Sequence, residues 1–132
     1  MSVFTDAEIE YLQSQRLGRL ATVGPDNRPH VVPVSLHYNA HTDTIDVGGH
    51  GFGKSKKWRD VQKNRWVSIV VDDVTSQNKL RGIEIRGEAE LSDTGKTIRP
   101  GFDDEMFRIR PQRIISWGIE TDSFSTYARS VE

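Results

Sequence analysis

The chain has 132 residues, a formal net charge of -1 and no cysteine. This length predicts one domain over residues 1–132 with a small core, which self-association would help to stabilise. The charge provides no bulk attraction to nucleic acid or to an anionic membrane, and the lack of thiols excludes disulfides and cysteine-ligated metals. No apolar run approaches the length of a membrane span and no signal-peptide pattern opens the chain, so a cytoplasmic location is expected.

The N-terminal third predicts a helix followed by a β-hairpin. A capping box at 5–8 indicates a helix that ends near Gln15. The alternating segments 18–23 and 29–38 flank a Gly-Pro-Asp-Asn turn and predict an antiparallel pair of strands. Pro33 has no amide hydrogen to donate, so the second strand should lie at a sheet edge or contain a bulge.

A glycine-rich turn between a short strand and a basic helix is the most distinctive feature of the sequence. The alternating segment 44–47 precedes four glycines within 48–53, and residues 55–63 follow with the pattern of a helix. Free amides at the start of a helix, with lysines beside them, form an anion-binding site. We therefore predict that this stretch binds a phosphate group.

The same stretch also satisfies the pattern of a nucleotide-binding P-loop, since residues 48–55 are GGHGFGKS. The apolar segment 67–73 ends in two aspartates, like the strand that holds magnesium in such proteins. A P-loop, however, follows a buried parallel strand with a nearly continuous apolar sequence. The alternation in 44–47 is typical of a half-buried antiparallel strand instead. Magnesium-dependent nucleotide binding is therefore a distant alternative.

The remaining sequence predicts more antiparallel strands. Residues 66–71 are rich in β-branched side chains, 81–91 alternate almost perfectly, and 107–119 give one or two strands interrupted by a Pro-Gln pair. Residues 92–105 predict a loop with room for a helical turn, and the polar tail from Glu120 is expected to wrap the surface. About six strands and two to three short helices favour a mainly β fold closed into a small antiparallel barrel.

Four blocks of the sequence resemble the pyridoxamine-phosphate-oxidase-like split β-barrel proteins, and among them the branch that uses the deazaflavin coenzyme F420 rather than FMN. The blocks are GRLATVGPDNRPHVVPVSLHYN, TIDVGGHGFGKSKKWRDVQKNRWVSIVVDD, RGIEIRGEAEL and RIRPQRIISWG. The resemblance implies a six-stranded antiparallel split barrel that forms a homodimer, with cofactor sites at the subunit interface. It also implies an oxidoreductase that transfers hydride between the deazaflavin and a small organic acceptor, such as a quinone or an alkene conjugated to a carbonyl.

The resemblance further implies which residues bind the cofactor. Ser55 and Lys57 match the phosphate-binding triplet of the family, and Trp117 matches a strand that closes the pocket from the partner subunit. Segment 32–35 matches the strand that flanks the ring of the cofactor. Gly49 and His50 lie at the strand end that lines the same pocket. The cofactor-binding residues implied in this way are Val32, Pro33, Val34, Ser35, Gly49, His50, Lys54, Ser55, Lys56, Lys57 and Trp117.

The sequence leaves the cofactor and the turnover open. An FMN protein on the same fold is one alternative, and a carrier of the deazaflavin without turnover is another. The surplus of basic residues in 54–65 mildly favours the deazaflavin, whose tail continues past its phosphodiester into carboxylates. No acid–base residue and no metal ligand is assigned, since the cofactor carries the difficult chemistry. Trp58 and Trp66 are expected in the core, because large aromatic side chains dominate small cores.

Overall fold

The structure is a computed structural model that describes residues 1–120 and 125–131, and its regular elements are mostly β-strands. The helices are α1 (Asp6–Ser14) and α2 (Lys56–Lys63), and two 3-10 turns occupy Phe52–Lys54 and Gly95–Thr97. The strands are β1 (Leu17–Val23), β2 (Pro29–Asn39), β3 (Thr44–Gly48), β4 (Trp66–Val74), β5 (Leu80–Ser92), β6 (Met106–Trp117) and β7 (Thr126–Ser130). The predicted loop with a helical turn at 92–105 is confirmed.

Six of the strands close into an antiparallel barrel. Their order is β3-β2-β1-β4-β5-β6, and β3 pairs with β6 to complete the circle. In the six barrel strands alternate side chains point inward, and most of the inward ones are apolar. Those that are wholly inaccessible to solvent include Leu20, Ile45, Ile69, Ile83, Ile85, Ile109 and Ile114. The mainly β fold and the six-stranded antiparallel barrel predicted from the sequence are confirmed.

Both helices begin where the sequence predicts. The Thr5 hydroxyl accepts the N–H of Glu8 at 3.1 Å, and the Glu8 carboxylate accepts the N–H of Thr5 at 2.9 Å, which completes the capping box of α1. The helix then buries Tyr11 and Leu12 in the core. α2 has Ser55 as its N-cap. Within the described parts of the chain, neither helix is long and apolar enough to cross a membrane.

The tail after Glu120 contains a strand that the sequence did not predict. β7 pairs with the outer edge of β6, and the N–H of Val131 donates to the carbonyl of Gln112 at 2.7 Å. Most side chains of β7 are exposed, so the tail lacks the apolar alternation that identifies a strand in a sequence. The remainder of the predicted tail, at 121–124 and 132, lies outside the described residues.

The Pro-Gln pair in β6 forms a β-bulge. Arg86 pairs with Arg113 and Gly87 with Pro111, so Gln112 is an extra residue on the β6 side. The strand therefore continues through the pair, and the predicted interruption is a local irregularity in one strand. A bulge of this kind adds one residue to one strand and increases its local bend.

Two predictions about burial are wrong. β3 is buried along its whole length rather than on one face, because Asp46 is covered by an ion pair with Arg108 at 3.2 Å and a hydrogen bond from Asn39 at 2.9 Å. Trp66 is 52% exposed on the outside of the barrel, whereas Trp58 packs against the core as expected. β3 is antiparallel to both of its neighbours, so the turn before α2 does not follow a parallel strand, as a P-loop does.

Candidate cofactor site

The glycine-rich turn reverses the chain between the buried end of β3 and the start of α2. Gly51 adopts the left-handed conformation with φ 62°, which a glycine does without steric cost. A 3-10 turn follows and buries the side chain of Phe52 beneath the backbone. The ring of Phe52 packs at 4.8 Å against Phe107 of β6. The turn is therefore fixed to the barrel by an aromatic anchor.

Ser55 fixes the start of α2. Its hydroxyl donates to the carbonyl of Phe52 at 2.6 Å and accepts the N–H of Trp58 at 3.3 Å. The first amides of a helix have no partner within the helix, so the N–H groups of Lys56 and Lys57 remain available to a ligand. Because the hydroxyl proton of Ser55 is already used within the turn, its role in the structure is to orient these amides. Direct contact between Ser55 and a phosphate stays a prediction.

The three neighbouring lysines have different environments. The ammonium group of Lys56 forms an ion pair with the buried carboxylate of Asp60 at 3.1 Å, and Asp60 also accepts a hydrogen bond from Thr22 at 3.1 Å. Lys54 is exposed, and its carbonyl accepts a hydrogen bond from Arg59 at 3.1 Å. The charge of Lys56 is thus compensated within the chain, whereas that of Lys54 lies in solvent.

Lys57 is the lysine that best fits an anion. It is half-buried, and its ammonium nitrogen lies 4.9 Å from the centroid of the Phe52 ring. Among the described residues this ammonium group forms no ion pair, and burial lowers its pKa below the ordinary value for lysine. A partly desolvated cation without a counter-charge, next to two free amides, fits a phosphate group that would restore its charge balance.

The strand segment at 32–35 meets the glycine-rich turn. Ser35 pairs with Gly48, so β3 ends beside the end of this segment. Residues 29–34 pair with β1, and the described residues place no strand on their other side, which confirms that Pro33 lies at an edge. A Cβ atom on Gly49 would lie 3.7 Å from the ring of Phe52. The structure therefore brings together the predicted edge strand, the glycine-rich turn and the start of α2, which is predicted to bind phosphate.

The loop 92–105 also contacts this site, which the sequence did not predict. The N–H of Asp103 donates to the carbonyl of Gly49 at 3.0 Å. The ring of Phe102 is buried and lies 5.6 Å from the imidazole of His50, in an edge-to-face arrangement. A phenylalanine in a polar loop is not part of a periodic pattern. The one signal in the sequence is that Phe102 is a large apolar residue between a glycine and an aspartate, which is compatible with a buried side chain.

Trp117 lies at the other end of the barrel. It pairs with Gly82 near the end of β6, whereas Phe107, beside the glycine-rich turn, is near the beginning. The ten positions between Phe107 and Trp117 span roughly 30 Å along a strand. Trp117 therefore does not reach Lys57 of its own chain, and its predicted contribution from a partner subunit stays a prediction.

The fold and the site together define a class of protein. A six-stranded antiparallel barrel, with an edge strand and a glycine-rich turn suited to an anion beside it, is a split barrel with the elements that a cofactor site requires. The chain belongs to the pyridoxamine 5'-phosphate oxidase family, which it matches over residues 4–118. The family resemblance inferred from the four sequence blocks is confirmed at this level.

Individual relatives are similar over most of the chain. A 5a,11a-dehydrotetracycline/5a,11a-dehydrooxytetracycline reductase of Streptomyces rimosus is 46% identical, over 97% of this chain and 93% of the relative. A conserved hypothetical protein of Mycobacterium tuberculosis has a similar structure, with a TM-score of 0.69 and 22% identity over 88% of this chain and 86% of that one. An FAD-binding protein of Mesorhizobium loti has a TM-score of 0.64 and 20% identity over 86% and 93% of the two chains. The two structural similarities show the fold alone.

Proposed function

We propose that the protein is a reductase that uses the deazaflavin coenzyme F420 to reduce a carbon–carbon double bond conjugated to a carbonyl in a fused-ring acceptor. The observation that carries this proposal is the 46% identity, over almost the whole chain, to a reductase of dehydrotetracyclines. The prefix of that name denotes an additional double bond, and reduction of such a bond requires a hydride and a proton. A cofactor that moves hydride suits this chemistry.

The geometry of the site supports a set of proposed cofactor contacts. The ammonium group of Lys57 and the amides of Lys56 and Lys57 bind the phosphate. The edge segment 32–35 offers the free backbone groups of residues 32–34 to the polar rim of the ring. When bound, the deazaflavin supplies the hydride. The chain itself binds the phosphate, orients the ring against the edge strand and covers the glycine-rich turn with the loop 92–105.

The outer face of the barrel supports the proposal of a homodimer. Val31 is 64% exposed, Leu17 is 57% exposed and Trp66 is 52% exposed. The register of β1, β2 and β4 places these three side chains on the same outward face. A shallow depression of about 490 Å³ lies on this face and is lined by Ala21, Val23, Trp66, Val67, Ser68, Arg86, Gln112, Arg113 and Ser130. An exposed apolar face of this kind marks an interaction surface.

The face also carries the residue that is predicted to act in trans. Ser68 pairs with Arg86, and Arg86 pairs with Arg113, so the outward side of β6 continues from Arg113 to Trp117. A second copy bound to this face would come close to Trp117. We therefore propose that the cofactor site lies between the two subunits and that Trp117 closes it from the partner.

The test is equilibrium binding of the deazaflavin, FMN and Mg-ATP to the purified protein. We expect micromolar or tighter binding of the deazaflavin and much weaker binding of FMN, both followed by cofactor fluorescence. Tight binding of FMN would support the same site with FMN as the cofactor. Binding of Mg-ATP alone, measured by calorimetry, would contradict the proposal.

Turnover is tested with the reduced deazaflavin and 5a,11a-dehydrotetracycline under anaerobic conditions. Reoxidation of the cofactor that depends on both the protein and the acceptor supports a reductase. Tight binding without turnover, for this acceptor and for simple quinones and enones, would favour a carrier of the cofactor instead.

A further inference from the structure

We propose that His50 and Arg99, both in contact with Phe102, form the acceptor end of the site. Arg99 binds the anionic oxygen of an acceptor that contains an ionised enol, as in a vinylogous carboxylic acid. His50 donates the proton that completes reduction of the double bond. The inference rests on the proposed function, and it names the acceptor class and the proton donor that the cofactor itself does not supply.

Phe102 contacts the side chains of both residues. The centroid of its ring lies 5.6 Å from that of His50, at an interplanar angle of 81°, and 5.7 Å from the Cζ atom of Arg99. Phe102 is only 4% exposed. Its ring and the side chain of Ile98 cover Gly48, where a Cβ atom would lie 3.1 Å and 3.2 Å from them. The buried phenylalanine thus fixes two exposed polar side chains against the end of β3.

The polar groups of both residues are available to a ligand. His50 and Arg99 are exposed, and among the described residues neither the imidazole nor the guanidinium forms a hydrogen bond or an ion pair. Other arginines are engaged, as Arg108 is with Asp46 and Arg81 is with Asp73. An arginine held against an aromatic ring without a carboxylate partner is suited to bind an oxyanion.

The pair lies beside the proposed cofactor site. His50 directly follows Gly49, whose carbonyl accepts the N–H of Asp103 in the loop 92–105. Gly48, two residues before His50, pairs with Ser35 at the end of segment 32–35. An acceptor at His50 would therefore be close to the cofactor ring, which segment 32–35 is proposed to flank.

The reaction needs the two functions that these side chains supply. The reduced deazaflavin, held by Lys57 and segment 32–35, would supply the hydride. Its C–H bond would break as a C–H bond forms at the β carbon of the acceptor, and the π electrons of the double bond would move toward the carbonyl oxygen. A guanidinium ion near that oxygen stabilises the developing negative charge. The N–H bond of the protonated imidazole then breaks as a second C–H bond forms at the α carbon, and water reprotonates His50. Histidine is the side chain most often used for such a proton transfer.

The role of Arg99 is tested by acceptor binding without turnover. The probes are 2-hydroxy-1,4-naphthoquinone, an anion at neutral pH, and its neutral methyl ether, each added to protein loaded with oxidised deazaflavin. Arg99→Gln should weaken binding of the anion roughly tenfold or more, the scale of a charge-assisted hydrogen bond, and leave the ether unchanged. The control is Arg28→Gln, which removes an exposed arginine from the β1–β2 turn.

In wild-type protein, the NMR signals of the His50 ring should shift when the anion binds. Equal binding of the anion to all three proteins, or a ring that does not respond, would overturn the inference.

The role of His50 is tested by the stereochemistry of protonation. Reduction of 2-methylcyclohex-2-en-1-one creates a new stereocentre at the α carbon, so the enantiomer ratio reports on the proton donor. We expect one enantiomer to predominate in wild-type protein and a nearly equal mixture in His50→Gln, with unchanged affinity for the oxidised deazaflavin. His41→Gln, in the exposed β2–β3 turn, is the matched control. The same ratio in all three proteins would exclude His50 as the proton donor.

The outcomes separate this inference from the proposal on which it rests. A wild-type protein that binds no deazaflavin overturns both. A wild-type protein that binds the deazaflavin and reduces enones, with variants that behave like their controls, overturns only the roles of His50 and Arg99.

Discussion

Lys57 stands out at the scale of single residues, because its burial opposes the charge that ligand binding requires. Burial lowers its pKa, and no ion pair among the described residues compensates for the desolvation. Lys57→Met keeps the length and the packing of the side chain and removes the charge. We therefore expect cofactor affinity to fall by roughly 1.5–3 kcal/mol, the scale of a hydrogen bond to a charged group. The free energy of unfolding should stay the same or increase.

The measurement combines cofactor titration with chemical denaturation of the apoprotein. The matched control is Lys63→Met on the exposed side of α2, which should change neither quantity by more than about 0.5 kcal/mol. The pH dependence has a defined sign. Between the lowered pKa of folded Lys57 and the ordinary value of 10.5, the unfolded chain binds more protons, so wild-type stability rises with pH there. Lys57→Met should lose that rise, and a marked loss of stability in this variant would contradict a role in binding alone.

Much of the site could be predicted from the sequence residue by residue, because its signals are local. Ser55 precedes a helix pattern and Pro33 interrupts a strand pattern. The sequence alone therefore predicts the N-cap role of Ser55 and the edge position of Pro33. Lys56 lies one helical turn before Asp60, a spacing that the helix pattern itself provides, whereas the burial of Asp60 and of Lys57 depends on the orientation of α2 on the barrel. The contact of Phe102 with His50 joins residues far apart in sequence, and no local pattern indicates it.

At the scale of elements, the ion pair between Glu8 and Arg129 joins α1 to the terminal strand β7. Glu8 is wholly buried, and the guanidinium of Arg129 donates to its carboxylate at 2.9 Å and to the carbonyl of Val3 at 2.9 Å. Arg129→Met would leave a buried carboxylate without its partner, which typically costs about 3–5 kcal/mol. Chemical denaturation measures this loss. The control is Arg113→Met. It removes an exposed hydrogen bond from β6 to Ser130 of β7 and should lower the free energy of unfolding by at most about 0.5 kcal/mol.

The same ion pair makes stability depend on pH in the acid range. Burial by itself would raise the pKa of Glu8, but hydrogen bonds from Arg129 and from the N–H of Thr5 hold it below its ordinary value of 4.5. The resulting stabilisation is complete above that value and is lost as the pH falls through the lower, folded pKa. Glu8→Gln should therefore show a shallower loss of stability below pH 4.5 than wild type. An identical acid profile in the two proteins would show that this carboxylate is not the responsible group.

The elements that the sequence predicted are those with strong periodic patterns. β5 alternates along its whole length, and α1 has a capping box, so both were found with nearly the correct bounds. β7 was missed because its side chains are mostly exposed and polar, and it is held by backbone pairing and one buried ion pair. The bulge at Gln112 was predicted as a break, because the sequence shows a proline but not the partner strand that continues past it.

At the scale of the whole molecule, the distribution of the predicted site residues favours a site shared by two copies. The edge segment 32–35 and Lys57 lie beside the glycine-rich turn, and Trp117 lies at the opposite end of β6. The outward face between these ends is apolar and exposed around Trp66. Trp66 was predicted in the core because large aromatic side chains dominate small cores, but it lies on the same outward face of β4 as Ser68.

This arrangement predicts that self-association and cofactor binding are lost together. Trp66→Glu places a charge in the centre of the outward face, where burial against a second copy would leave it without a partner. We expect the variant to be monomeric in sedimentation and to bind the deazaflavin at least about tenfold more weakly, with its near-native barrel retained in circular dichroism. Gln62→Glu, on the exposed side of α2, adds the same charge elsewhere and should change neither property.

A monomeric Trp66→Glu protein with full cofactor affinity would show that one chain suffices to form the site and that Trp117 has no part in it. A variant that remains dimeric would place the interface on another face of the barrel.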